Sequence, residues 1–210
     1  MRKPFVFILL SLFFALPLSA GTEVWTGVNL MYDLNILADE NHDYFSSYSE
    51  KGLEVSQINS FGLGLDVFVV PRTLGKHYVG PSLKLQILFP VGYDDSDEEE
   101  TYLSHQGEFR ADAYLGAQYV YMRTPRMGFL AGLGAQYSLY RVAEDNPKND
   151  KETDVKINWL DEWSVGANLG VVTRSRRCYF ELSALFLCTL SHSGSQGYQV
   201  LLKAGGGYVF

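Results

Sequence analysis

Thirteen residues, Tyr198 to Phe210, alternate with a period of two. One phase (Tyr198, Val200, Leu202, Ala204, Gly206, Tyr208, Phe210) is apolar, aromatic or small throughout, while the other carries Gln199 and Lys203. A period of two places successive side chains on opposite faces of a strand. A charge at mid-strand behind a wholly apolar face fits a polar space on one side and an apolar solvent on the other, which is the pattern of a membrane-spanning β-strand. A soluble sandwich produces equally clean alternation by burying its apolar face, so the decision falls to the rest of the chain.

Seven further segments repeat the alternation: Glu23–Leu34, Asn59–Val70, Val79–Val91, Glu108–Tyr121, Met127–Tyr140, Trp159–Val172 and Cys178–Leu190. Each exceeds the about 9–11 residues that a tilted strand needs to cross a bilayer. The connections alternate in length. Ile36–Gln57, Gly92–Gln106 and Ala143–Asn158 are long, Ser191–Gly197 is shorter but polar, and Pro71–Lys76, Met122–Arg126 and Thr173–Arg177 are tight turns. An even strand count with short turns at one end and long loops at the other is the plan of an eight-stranded antiparallel up-and-down transmembrane β-barrel. On that plan both chain ends lie on the periplasmic, short-turn side.

The phase carries through all eight segments. Val24, Val28, Leu30 and Tyr32 point one way, as do Phe61 to Val69, Leu83 to Phe89, Phe109 to Tyr119, Phe129 to Tyr137, Trp163 to Leu169 and Phe180 to Phe186, each taken at every second residue. The opposite phase collects Glu23, Asp33, Asp66, Lys84, Glu108, Arg110, Asp112, Gln118, Gln136, Glu162, Glu181 and Lys203. Asp161 and Arg141 break the rule, both at the long-loop rim. Outward aromatics form two belts, Tyr32, Phe61, Phe89, Phe109, Trp163 and Tyr198 toward the loops, and Tyr119, Tyr121, Phe129, Phe180, Tyr208 and Phe210 toward the turns. Rings of this kind favour the two membrane–water interfaces.

Met1–Gly21 reads as a secretory signal peptide. Arg2 and Lys3 precede the apolar run Phe5–Leu16, Pro17 breaks it, and Ser19, Ala20 and Gly21 offer a cleavage site after Ala20 or Gly21. The run is shorter than the about 20 residues of a spanning helix. Thr22–Phe210 then forms a single barrel domain. A mean hydropathy of −0.04 is compatible with that, because lipid-facing and lumen-facing residues average out. Cys178 and Cys188 are the only cysteines. On one strand they stand roughly 33 Å apart, too far for a disulfide.

Charge divides along the barrel axis. The three long loops sum to −12 and the three turns to +7. Acidic loops argue against nucleic acid as a partner, and basic turns suit anionic inner-leaflet headgroups.

With its phased strands and the closing Tyr208-Val209-Phe210, the chain resembles the small outer-membrane barrels of the OmpX, OmpW and OmpA-membrane-domain type. The resemblance covers nearly the whole chain after the signal. It implies that Tyr208 and Phe210 form the signal read by the barrel-assembly machinery, and that the protein sits among outer-membrane lipids with its long loops outside the cell. The loop sequences match no family pattern.

Eight strands enclose an interior just wide enough for side chains to fill. Buried charges there must pair or stay wet. The expectation is a lumen charge network in which Glu108, Asp112 and Glu162 surround Arg110 near the outer mouth, and Asp66 and Glu181 neutralise Lys84 and Lys203 lower down. Phe68, Leu88, Leu130, Leu185, Leu187 and Leu201 share the inward phase and plug water. Inward glycines (Gly62, Gly64, Gly116, Gly132, Gly134, Gly166, Gly205, Gly207) make room for the long side chains.

No phosphate loop, CxxC or HExxH motif occurs. The run Asp94, Asp95, Asp97, Glu98, Glu99 and Glu100 lacks the ligand spacing and glycine of an EF-hand, so it reads as solvated charge, with divalent-cation binding as the alternative. His42, His105 and His192 fall in loops and His77 at a strand end. Ser191-His192-Ser193 has no downstream acid to orient the imidazole. No catalytic residue, cofactor or metal is therefore assigned. The expected role is structural or surface-interactive, in adhesion or envelope integrity, with an external ligand or host surface meeting the loops. The alternatives are a narrow channel for small or hydrophobic molecules and, behind it, a lipid-modifying enzyme.

Overall fold

The computed structural model describes residues 21–34, 60–71, 73–90, 107–144, 156–190 and 198–210. These form β1 (Glu23–Leu34), β2 (Ser60–Val70), a two-residue β3 (Thr73–Leu74), β4 (His77–Pro90), β5 (Gly107–Met122), β6 (Met127–Glu144), β7 (Lys156–Ser175), β8 (Cys178–Thr189) and β9 (Tyr198–Val209). The hydrogen-bonded order is β2-β1-β9-β8-β7-β6-β5-β4, and β2 pairs with β4 to close the ring. All pairings are antiparallel. The result is an eight-stranded up-and-down barrel, with β3 as a stub folded back on β4.

Closure fixes a stagger. Along the register from Gly27, the route through β2, β4, β5 and β6 runs Asp66, Lys84, Tyr114, Gln136 and reaches β7 at Ser164. The opposite route through β9 and β8 runs Gly207, Tyr179 and reaches β7 at Arg174. The two arrivals are ten residues apart, which is the shear that a tilted, closed sheet requires.

The alternation sorts the two faces. Leu63, Leu65, Leu85, Ile87, Leu133, Leu169 and Leu182 are exposed on the outside, whereas Lys84, Lys203, Gln136 and Asp33 are buried inside. This inverts the order of a water-soluble protein, where Lys and Asp are almost never fully buried. An outer surface of this composition belongs in a bilayer, where closing the ring leaves no unpaired sheet edge facing lipid. Tyr32, Phe61, Phe89, Trp163 and Tyr198 are exposed at the loop end, as are Tyr119, Phe129, Phe180, Tyr208 and Phe210 at the turn end.

The strand limits differ from expectation in particular places. β6 and β7 run to 18 and 20 residues, well beyond the membrane thickness. Their register continues to Glu144↔Lys156, so part of the expected Ala143–Asn158 loop is a projecting hairpin. The expected Pro71–Lys76 turn contains β3 and a two-residue Gly75-Lys76 turn, because Leu74 pairs with His77 and Gly75 adopts φ 66°. The expected Thr173–Arg177 turn shrinks to Arg176-Arg177, since Ser175 pairs with Cys178. Both cysteines are free.

Candidate functional site

The site is the lumen. Its layers follow the inward residues of single strands from turn end to loop end: Val209, Lys203 and Leu201 on β9, and Val120, Gln118, Tyr114, Asp112 and Arg110 on β5. At the turn mouth Arg174 forms a forked ion pair with Glu23, 2.9 Å from Nη1 and 3.3 Å from Nη2. Its guanidinium carbon lies 5.1 Å from the centroid of Trp25 and 5.7 Å from that of Tyr78. Trp25 Nε1 also donates to Glu23, at 3.1 Å. Such pairing and stacking over aromatic faces is characteristic of arginine.

Above this lid Trp25, Phe68, Val70, Val120, Met122, Leu130, Val172 and Val209 form a buried apolar layer, with Tyr78 and Tyr179 packed against it. Trp25 makes an edge contact with Phe68 at 5.8 Å between centroids and a tilted contact with Tyr179 at 5.2 Å.

The next layer is ionic. Asp66 Oδ2 accepts from Lys84 Nζ at 3.0 Å and from Lys203 Nζ at 2.7 Å. Lys84 also donates to Gln118 at 3.3 Å. Glu181 takes the Ser183 hydroxyl at 2.7 Å and stands within electrostatic reach of both lysines. Two cations on two carboxylates leave the layer neutral, the condition under which buried charge is tolerated. A cavity of about 10 Å³ lies between this layer and the aromatic one, lined by Trp25, Phe68, Asp66, Lys84 and Glu181 among others. That is room for about one water.

Leu88, Tyr114, Leu185, Leu187 and Leu201, each at most 2% exposed, make a second apolar layer. Over it, Arg110 reaches across the lumen to Asp33 at 2.7 Å and along its own strand to Asp112 at 3.0 Å.

The sequence-assigned residues thus divide. Asp66, Lys84 and Lys203 converge on one oxygen. Glu181 joins that layer, with Ser183 rather than a lysine as its direct partner. Arg110 and Asp112 pair, and Asp33, which was not assigned to Arg110, is its second carboxylate. The side chains of Glu108 and Glu162 lie outside the described part, as do Asp94 to Glu100, His42, His105, His192 and residues 1–20 of the signal segment. His77 is described: its Nδ1 is 2.7 Å from the Tyr119 hydroxyl, on the outer face at the turn end. Tyr208 and Phe210 stack edge-on at 4.9 Å on the outside of the closing strand.

The aromatic lining Trp25, Tyr78, Tyr114 and Tyr179 was missed, although its phase was readable beside Glu23, Arg110 and Glu181. The glycines make the room for it. A Cβ on Gly134 would come within 2.7 Å of the Tyr114 ring, and one on Gly27 would meet the Tyr179 hydroxyl. Among the described residues no group of His, Cys, Asp and Glu converges as a metal site.

No protein-family model and no curated protein matches the chain. Solved structures do. Ail, the attachment invasion locus protein of Yersinia pestis, in complex with the heparin analogue sucrose octasulfate, superposes with a TM-score of 0.54 at 12% identity, covering 91% of this chain and 100% of that one. Ail without that ligand gives 0.53 at the same identity and coverage. Neisserial surface protein A gives 0.49 at 11% identity over 91% of this chain and 98% of its own. At such identities the likeness to Ail establishes the fold, that of a small outer-membrane β-barrel.

Proposed function

We propose that this protein is a non-conducting, non-catalytic outer-membrane barrel whose working surface is its acidic loops, in adhesion or envelope integrity. The observation that carries the reading is the filled lumen. Two apolar layers and two ionic layers follow one another below the loops, and Leu88, Leu185 and Leu201 are 0% exposed. A continuous water path through such layers would have to displace packed side chains, which cores resist.

Ail is described with a sulfated polyanion. Here the three long loops carry a net −12, which repels polyanions. The loops therefore suit a cationic partner, a basic protein or peptide surface. Complementary charge of this kind steers encounter and makes it salt-sensitive. The folded protein in vesicles is expected to bind polylysine and not heparin, with the binding lost at high salt. In planar bilayers it is expected to give no single-channel steps. Regular steps from protein with the gel mobility of the folded barrel would overturn the non-conducting reading and favour the narrow channel.

A further inference from the structure

The turn face of the barrel carries a second charged surface. Lys76, Arg123, Arg126, Arg176 and Arg177 are all exposed there, and none is in an ion pair among the described residues. The turns contain no acid, and Glu23, the acid nearest to them in the ring, is already held by Arg174. Backbone contacts bring the turns together. The Met122 amide donates to the Lys76 carbonyl at 2.8 Å and the Arg174 amide to the Arg126 carbonyl at 2.8 Å, while Lys76 Nζ leans on the Arg123 carbonyl at 3.4 Å.

Two further observations give the patch a height and a purpose. Arg177 Nη1 is 3.2 Å from the Tyr208 hydroxyl, and Tyr208 belongs to the girdle of Tyr119, Phe129, Phe180 and Phe210 that marks the membrane–water boundary. The cations therefore stand at the level of the lipid phosphates. Arg176 has φ 55°, a left-handed conformation that costs a side-chain-bearing residue about 1–2 kcal/mol and that hairpin turns normally give to Gly or Asn. An arginine there is a local cost with no compensating ion pair in the described structure.

We propose that this basic turn face binds the phosphate of anionic phospholipid headgroups in the inner leaflet of the membrane, fixing the depth of the barrel. The inference rests on the membrane placement above. The test places the folded protein in nanodiscs containing phosphatidylcholine and spin-labelled phosphatidylglycerol or spin-labelled phosphatidylcholine, and reads the motionally restricted fraction of each label. Wild type is expected to prefer phosphatidylglycerol at least about threefold, since each base near the surface favours an anionic membrane by about fivefold. R72S/K76S/R123S/R126S/R176S/R177S is expected to bring the ratio to about one, R72K/R123K/R126K/R176K/R177K to keep it, and 0.5 M salt to abolish it. Inorganic phosphate at 10 mM is expected to leave the preference intact, and competition by it would mean a free-phosphate site instead. No preference in wild type, or a preference surviving in the serine variant, overturns the proposal. So does binding of polyglutamate without any lipid preference, which points to an acidic protein partner. Protein that never acquires the heat-sensitive gel mobility of a folded barrel refutes the membrane reading itself, and the two failures are thus distinguishable.

Discussion

Replacing Asp66 by Asn removes the carboxylate charge that faces both Lys84, at 3.0 Å, and Lys203, at 2.7 Å. Both lysines are 1% exposed. At an effective dielectric of about 20, each contact is worth about 5–6 kcal/mol of Coulomb attraction, most of which only offsets desolvation. Removing one partner of a buried pair typically costs about 3–5 kcal/mol. Glu181 remains in the layer, so the loss is placed at the low end, about 3 kcal/mol, or somewhat over a hundredfold in the folded-to-unfolded ratio. Urea titration of protein folded in phosphatidylcholine vesicles measures this, followed by tryptophan fluorescence and by gel mobility. The companion variant D66L/K84M/E181L/K203M replaces the whole cluster with apolar side chains. It is expected to fall within about 1 kcal/mol of wild type or above it, because buried ion clusters seldom outperform well-packed hydrophobes. If D66N lies within about 1 kcal/mol of wild type while the quadruple variant loses more, the lysines are solvated, and the account of a sealed, self-neutralising lumen fails.

Truncating both apolar layers with F68A/L130A/L185A/L201A is expected to open single-channel steps in planar bilayers that wild type lacks; a silent variant that still folds would place the seal elsewhere. Gly27→Ala sets a Cβ against the Tyr179 hydroxyl and 2.9 Å from the Gly206 carbonyl oxygen. It is expected to cost about 1–3 kcal/mol in the same urea assay, of which an added Tyr179→Phe recovers part. Arg174→Met removes the forked pair with the part-exposed Glu23 and the stacking on Trp25, with an expected loss of about 1–2 kcal/mol and a change in Trp25 fluorescence. Arg176→Gly relieves the left-handed strain and is expected to raise stability by up to about 1 kcal/mol, while lowering the preference for phosphatidylglycerol.

Much of this was legible along the chain, because a closed barrel between lipid and a polar lumen imposes a two-residue period that needs no partner to be read. The alternation placed Lys84, Asp66, Arg110 and Lys203 inside and Leu63, Leu133 and Phe180 outside, and turn and loop lengths ordered the strands around the ring. Harder to read were positions where two phases compete with local geometry. β6 and β7 continue past the membrane as a hairpin because their ladder stays paired through Glu144↔Lys156, and hydrophobicity stops marking a strand where lipid ends. Arg174 sits among turn residues in sequence, yet it belongs to the inward phase of β7.

The linear reading grouped Asp66 and Glu181 with Lys84 and Lys203, and Asp112 with Arg110, without supplying the exact partner choice. That depends on the ten-residue stagger at closure, which lifts each strand relative to the next and decides heights across the ring. The stagger brings Asp33 on β1 to Arg110 on β5, puts both lysines on one oxygen of Asp66, and carries Arg174 over to Glu23. The sequence by itself determined which face of every strand meets lipid, since that follows from the chemistry of alternate residues. The tertiary structure alone decided which carboxylate of each group meets which cation, and that Asp33 joins Arg110, since that follows from distances set only when the sheet closes on itself.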